Sequence, residues 1–226
     1  MNAPRTRNER LHVRILIACE CSGVVRRAFC DLGHNVISCD LQQADDDSPY
    51  HYRGPVQDML SNSGDWDLLI AHPPCTYLTV TANKWLKDQP PRKSGALVGA
   101  DRRQAREKAA AFFMMFVDYL KENPGCKGAI ENPVGCMSTR FRKPDQIICP
   151  TMFGHPEPKK TCLWLTGLPL LVPTKKVEPD YHTTKSGKRL PRWCAYADKK
   201  SDRSKIRSQT FAGIAAAMAD QWGNML

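Results

Sequence analysis

VRILIAC (13–19), Ser22-Gly23, VVRRAFCDLG (24–33) and NVISCD (35–40) follow one another closely, and their order decides the fold. VRILIAC is short, apolar and β-branched, which is the composition of a strand buried in a parallel sheet. Ser22-Gly23 turns the chain. In the next stretch Val25, Phe29 and Leu32 recur at helical spacing, and Gly33 stands where a helix C-terminal cap is expected. NVISCD reads as a second strand, ending in Asp40. A strand, turn, helix and strand packed into residues 13–40 open a Rossmann-like sheet.

Outward from that unit, residues 1–12 read as a flexible basic tail, and 42–66 as polar and irregular, with Asp58 inside VQDML. DLLIAH (67–72) is a further buried strand that runs into Pro73-Pro74-Cys75. Residues 79–100, with Pro90, Pro91, Gly95 and Gly99, read as a mobile loop. RRQAREKAAAFFMMFVDYLKENP (102–124) is the clearest helix, stopped by Pro124 and Gly125. GAIE (128–131) is a short strand leading into Asn132-Pro133, TCLWLTG (161–167) is another strand, and TFAGIAAAMADQW (210–222) is a small-residue helix. The alternation gives an α/β class with a mostly parallel sheet. The expected division is a catalytic and cofactor-binding domain over 13–166, a small basic recognition segment over 167–207, and a closing helix over 208–226 that returns to the first domain.

Composition narrows the class. Of 226 residues, 42% are hydrophobic, enough for a core, which excludes global disorder. No apolar run reaches the roughly 18 residues of a membrane span. The N-terminal stretch lacks the apolar region of a secretory signal, so a cytoplasmic protein of a bacterium or a phage-infected cell is expected. Ten cysteines are scattered without CxxC pairs, which argues against a zinc site and for reduced thiols. His72 and Cys75 sit three apart but have no second pair, so no metal is expected. The net charge is +10, and eleven Lys and Arg fall within 175–207, interleaved with Trp193 and Tyr196. Such a stretch suits a phosphate backbone.

In open α/β sheets, ligands sit beyond the carboxyl ends of the strands. Glu20, Ser22 and Gly23 follow the first strand, Asp40 ends the second, Cys75 follows DLLIAH and Glu131 ends GAIE. These positions outline one pocket. Two prolines hold the Cys75 thiol on a stiff backbone. Glu131 can protonate a ring nitrogen, provided burial lifts its pKa toward neutrality. Thiol and carboxylate together make a nucleophile and acid pair.

HPPCTYL (72–78), then Glu131-Asn132-Pro133 starting 56 residues after Cys75, then LWLTGLP (163–169), stand in one order. In this the chain resembles the DNA cytosine-C5 methyltransferases, most of all the short phage- and prophage-encoded members, over roughly 13–222. The resemblance implies a Rossmann-like methyltransferase fold, S-adenosylmethionine as cofactor, double-stranded DNA as partner, a monomer, and evasion of host restriction as the purpose. It implies that the Cys75 thiolate adds to C6 of a flipped cytosine. Glu131 contacts N3 and the exocyclic amine, and Asn132 fixes the loop carrying Cys75. Glu20, Ser22, Gly23 and Pro73 lie near the cofactor's methionine half, Asp40 binds its ribose and Asp58 faces its adenine. Thr210 and Gly213 close that pocket. Lys84 and Arg92, with Lys87 and Lys93, contact phosphates from the loop, as do Lys188, Arg189 and Arg192 from the basic segment.

Three features depart from the family pattern. ACECSG (18–23) replaces a glycine-rich opening with an aromatic residue, which leaves room for a modified cofactor. Lys159 and Lys160 stand where the family carries an Arg pair touching O2 of the base, with Lys160 the catalytic contact and Lys159 a DNA contact. The large recognition domain is missing, so a site of about two to four base pairs is expected. Two other readings stay open, namely a pyrimidine C5-modifying enzyme acting on a nucleotide or RNA, and a non-catalytic DNA-binding protein on this scaffold.

Overall fold

The computed structural model describes residues 13–62, 66–192 and 210–226. The expected tail at 1–12 and the second half of the basic segment, 193–209 with Trp193 and Tyr196, lie outside the described residues.

The opening unit folds as its sequence dictates. Strand β1 (Arg14–Ala18) pairs in parallel with β2 (Asn35–Asp40), and helix α1 (Val24–Cys30) crosses between them. Val25 and Phe29 are fully buried, but Leu32 is 48% exposed, because α1 stops at Cys30 and Leu32 falls in the turn beyond it. Gly33 sits in that turn at φ +84°, its amide bonded to the Cys30 carbonyl at 2.8 Å.

The region expected to be irregular holds two elements. β3 (His51–Arg53) pairs with β2, and α2 (Val56–Asn62) follows it. Both are too short to show a periodicity. Then come β4 (Leu68–Ala71), α3 (Gly99–Glu122), β5 (Lys127–Pro133), α4 (Met137–Arg140), β6 (Gln146–Ile148) and β7 (Thr161–Thr166). The hairpin β8 (Tyr181–Thr183) and β9 (Arg189–Pro191) precedes α5 (Ala212–Met218), which runs on into a π-helical turn at Ala219–Gly223.

The sheet order is β3-β2-β1-β4-β5-β7-β6. All pairings through β5 are parallel, whereas β7 runs antiparallel between β5 and β6. The strand order reverses between β1 and β4, and that switch point sets the crevice. Alternation along each strand feeds two cores. Ile15, Ile17, Leu68, Ile70 and Ala129 pack with Phe29, Met218 and Trp222 on one face. Leu16, Ala18, Leu69, Ala71 and Ile130 pack with Phe113, Phe116 and Trp164 on the other. Helices thus cover both faces, and the fold is of the Rossmann-like α/β class.

Within the loop expected over 79–100 lies one short element, a 3₁₀ helix at Val80–Leu86, which α3 contacts by side-chain hydrogen bonds. The segment after β7 lies on the body. Gln146 exchanges two 2.8 Å bonds with the Leu171 backbone, Trp222 Nε1 donates to Pro169 O at 3.0 Å, and Val172 is bonded both ways to Gln221. The hairpin comes after these ties.

Candidate active site

The first strand end is built around Glu20. Its carboxylate accepts the amides of Val25 at 2.7 Å and Arg26 at 3.3 Å and the Ser22 hydroxyl at 3.1 Å. Glu20 is 5% exposed, so this carboxylate serves as the N-terminal cap of α1. Gly23 follows at φ +66°, and a Cβ there would collide with the guanidinium of Arg26. Arg26, itself buried, chelates Asp46 with both contacts at 2.7 Å, and Arg27 donates to the same carboxylate. The turn after β1 is thereby locked to the β2–β3 loop. Glu20, Ser22 and Gly23 do come together, but in contacts internal to the chain. Replacing Glu20 by Ala is expected to lower stability by about 1–2 kcal/mol, the usual cost of a lost cap, measurable by urea denaturation. An unchanged midpoint would contradict the capping role.

The second and third strand ends converge on Cys39. Burial, then the charges of Asp40 and Asp58, push its thiol up to about 12. Cys19, at φ +61° just beyond β1, is raised by burial, by Asp40 and by Cys39. Asp58 accepts the hydroxyl of Tyr52, and Asp40 accepts the Gln42 amide at 2.9 Å. Asp40 from β2 and Asp58 from α2 therefore both lie near the Cys39 thiol. Leu41, 71% exposed beside Asp40, adds apolar surface at the crevice that the sequence alone did not single out.

The fourth and fifth strand ends are joined by the sheet itself. β4 and β5 pair with Ala71 opposite Ile130, so His72 falls opposite Glu131 and Pro73 opposite Asn132. Asn132, 1% exposed, donates its Nδ2 to Pro73 O at 2.7 Å. Cys75 is half-buried two residues further on, and its carbonyl accepts the amides of Leu78 and Thr79. On the opposite face, His72 Nδ1 lies 3.1 Å from Glu131 Oε2.

The expected upward shift of Glu131 is overturned. Burial does raise its carboxyl. The hydrogen bond to His72, the charge of Lys159 and the Thr161 hydroxyl outweigh that, and its pKa lies below the ordinary carboxylate value. The lysine pair also divides differently from expectation. Lys159 is half-buried, acts on Glu131 and lies 5.9 Å from the Phe211 ring, whereas Lys160 is exposed. Lys159 sits in a tight turn before β7, its amide bonded to Glu157 O at 2.9 Å.

Two arginines missed in the sequence hold the segment after Cys75. Arg102 donates to the carbonyls of Leu97 at 3.0 Å and Thr76 at 3.2 Å. Arg106 donates to Tyr77 O and to Asn83 Oδ1, both at 2.8 Å. Both are buried, on the same stripe of α3 as Ala110, Phe113 and Leu120. Polar residues continuing an apolar stripe were the available signal.

The remaining candidates lie apart from this centre or on its rim. Lys84 and Arg92 both stack on Trp85, at 4.8 Å and 3.8 Å. Lys188, Arg189 and Arg192 are on the hairpin, where Arg189 covers Tyr181 at 4.4 Å and Arg192 pairs with Asp180 at 2.7 Å. Gly213 packs so closely on the Phe153 carbonyl that no Cβ fits, and its amide bonds His155 Nε2 at 2.9 Å. Thr210 is half-buried at the start of this segment. Among the described residues no cluster of ligating side chains could hold a metal ion, and no helix is long and apolar enough to cross a membrane.

No family model matches the chain, and no curated protein matches it. Among solved structures it is similar to a candidate DNA modification methyltransferase encoded within a prophage (E. coli), with 14% identity and a TM-score of 0.46. The match covers 74% of this chain and 52% of that one, so the chain spans about half the length of the structure it matches. No functional weight rests on a likeness of that strength.

Proposed function

We propose that the chain transfers a methyl group from S-adenosylmethionine to C5 of a cytosine in double-stranded DNA, with Cys75 as nucleophile. The observation that carries this reading is the 2.7 Å bond from Asn132 to Pro73 O, which ties the loop of the thiol to the strand of Glu131. A nucleophile and a carboxylate held by one sheet can be kept within the tolerance that covalent catalysis needs.

C5 of cytosine is a weak nucleophile. Addition of the Cys75 thiolate forms an S–C6 bond and pushes the C5–C6 π pair toward N3, which makes C5 enamine-like. S-adenosylmethionine supplies the electrophilic methyl group, and Asp40 and Asp58 would hold its ribose and adenine. Glu131 meets the exocyclic amine and N3. It is ionised in the free protein, and a flipped base that displaces water raises its affinity for a proton, so it can take one and pass it to N3. Lys159, in place of Lys160, offsets charge at this edge of the base. Loss of the C5 proton to water, with the N3 proton returned to Glu131, then re-forms the C5–C6 double bond and lets the thiolate leave. Arg102 and Arg106 keep the backbone after Cys75 from drifting.

Extruding the base costs a few kcal/mol, and phosphate contacts offset it. Lys84 and Arg92 around Trp85 form one such surface. The basic segment 167–207 forms another, with the hairpin of Lys185, Lys188 and Arg189 as its reading element, since a two-stranded ribbon fits the major groove. The protein acts as a monomer in the cytoplasm on a short site. A second reading is favoured by Glu20. Its carboxylate already accepts the amides of Val25 and Arg26, so less of it is left to hold the methionine end of the cofactor, which suits a modified donor.

The reading is tested by offering methyl-labelled S-adenosylmethionine with duplex DNA, RNA or cytidine monophosphate in parallel. Label in duplex DNA alone is expected. Label in the mononucleotide and none in duplex DNA would reverse the choice of substrate.

A further inference from the structure

We propose that His72 is a positioning residue for Glu131, fixing the carboxylate that meets the target base. The inference rests on the methyltransferase reading above. His72 stands three residues before Cys75, and its side chain contacts Glu131, the other catalytic candidate.

Its placement is rigid. The His72 amide extends the β1–β4 ladder by bonding Ala18 O at 2.9 Å. Pro73 follows and confines His72 to extended backbone. The side chains of His72 and Glu131 are 9% and 14% exposed, and Nδ1 and Oε2 are 3.1 Å apart. His72 Nε2 is enclosed and has no partner among the described residues. A ring carrying its hydrogen on Nδ1 satisfies this site, because Nδ1–H donates to the carboxylate and only a lone pair is left enclosed. A second hydrogen on Nε2 would be a buried donor without an acceptor, the more costly arrangement.

One donor at Oε2 fixes the plane of the carboxylate. The Thr161 hydroxyl adds a second contact. The groups that face Glu131 are thus His72 from β4, Thr161 from β7 and Lys159 just before it. The Cys162 thiol also senses its charge. A hydrogen bond to the ionised form favours that form, so removing His72 leaves Glu131 easier to protonate as well as freer to rotate.

The test uses two variants of the full chain. His72→Leu fills the space without a donor, and His72→Asn places an amide N–H near the position of Nδ1. The first readout is the titration of the Glu131 side-chain carboxyl carbon by NMR, which needs no activity. The second is the pH profile of kcat/KM on duplex DNA. In His72→Leu the Glu131 titration is expected to move to higher pH and the matching ionisation in the profile to move with it. Its kcat should fall at least about ten-fold, a part of the 10²–10⁴ that a positioned acid contributes, with the KM for DNA unchanged. His72→Asn should recover most of both effects. An unmoved titration in folded His72→Leu overturns the inference whatever the activity. If the titration moves but the wild-type protein methylates no DNA, the methyltransferase reading fails, and the positioning role fails with it.

Discussion

Cys75→Ser is expected to abolish methyl transfer while duplex DNA is bound as before. A serine hydroxyl at neutral pH is far from ionised and has no general base assigned to it, so the covalent step loses its nucleophile. The loss in kcat should be at least about 10⁴-fold, in the range seen when a nucleophile is removed from a preorganised site. Binding is unaffected, because the surfaces assigned to DNA are carried by Lys84, Arg92 and the hairpin. Turnover assays and gel-shift titrations on the same preparation check both halves. Retained turnover would remove Cys75 from the mechanism.

The largest expected effect on stability falls on Arg102 and Arg106. Each makes two hydrogen bonds to the segment after Cys75, and three of the four acceptors are backbone carbonyls. Truncation removes two hydrogen bonds and the packing of a buried side chain, at about 1–3 kcal/mol for each arginine. Burial lowers the Arg102 pKa, as desolvation of a cation does. The two hydrogen bonds to the carbonyls of Thr76 and Leu97 offset part of that cost. Arg102→Ala and Arg106→Ala should each lower the urea midpoint and open the 76–97 segment to protease, with turnover falling further than stability alone accounts for. Full resistance to protease would show that the segment is held by something else.

Much of the fold was legible in the sequence where strands were buried on both faces. VRILIAC, NVISCD and DLLIAH had no alternative to a parallel sheet, and the strand ends fell where polar residues punctuated them. β3 and β6, three residues each, were not legible, because so short an element carries no period and is defined by its neighbour's hydrogen bonds. The 3₁₀ helix inside the loop at 79–100 was not legible for a related reason. The loop's prolines and glycines signal loop chemistry, and the side chains that bond it, Arg102, Arg103 and Arg106, come from α3.

The site was legible in its residue types and less so in their roles. Pro73-Pro74-Cys75 and Glu131-Asn132-Pro133 face each other through the β4–β5 register, which no spacing in the chain could specify. Burial alone suggested a raised Glu131. The groups that reverse the shift, His72 and Lys159, stand just after β4 and just before β7. Glu20 also accepts hydrogen bonds from the helix it precedes, a role that its position in the sequence did not reveal. Gly213 likewise packs on the Phe153 carbonyl, a contact that only the fold brings about.

The central claim is that cytosine C5 is the atom modified. The most direct measurement is nucleoside mass spectrometry of unmethylated duplex DNA after incubation with the protein and S-adenosylmethionine. The account predicts 5-methylcytosine that accumulates with time and is absent when Cys75→Ser replaces the wild type. Methylation confined to adenine or to N4 of cytosine, or equal yields from both proteins, would contradict it.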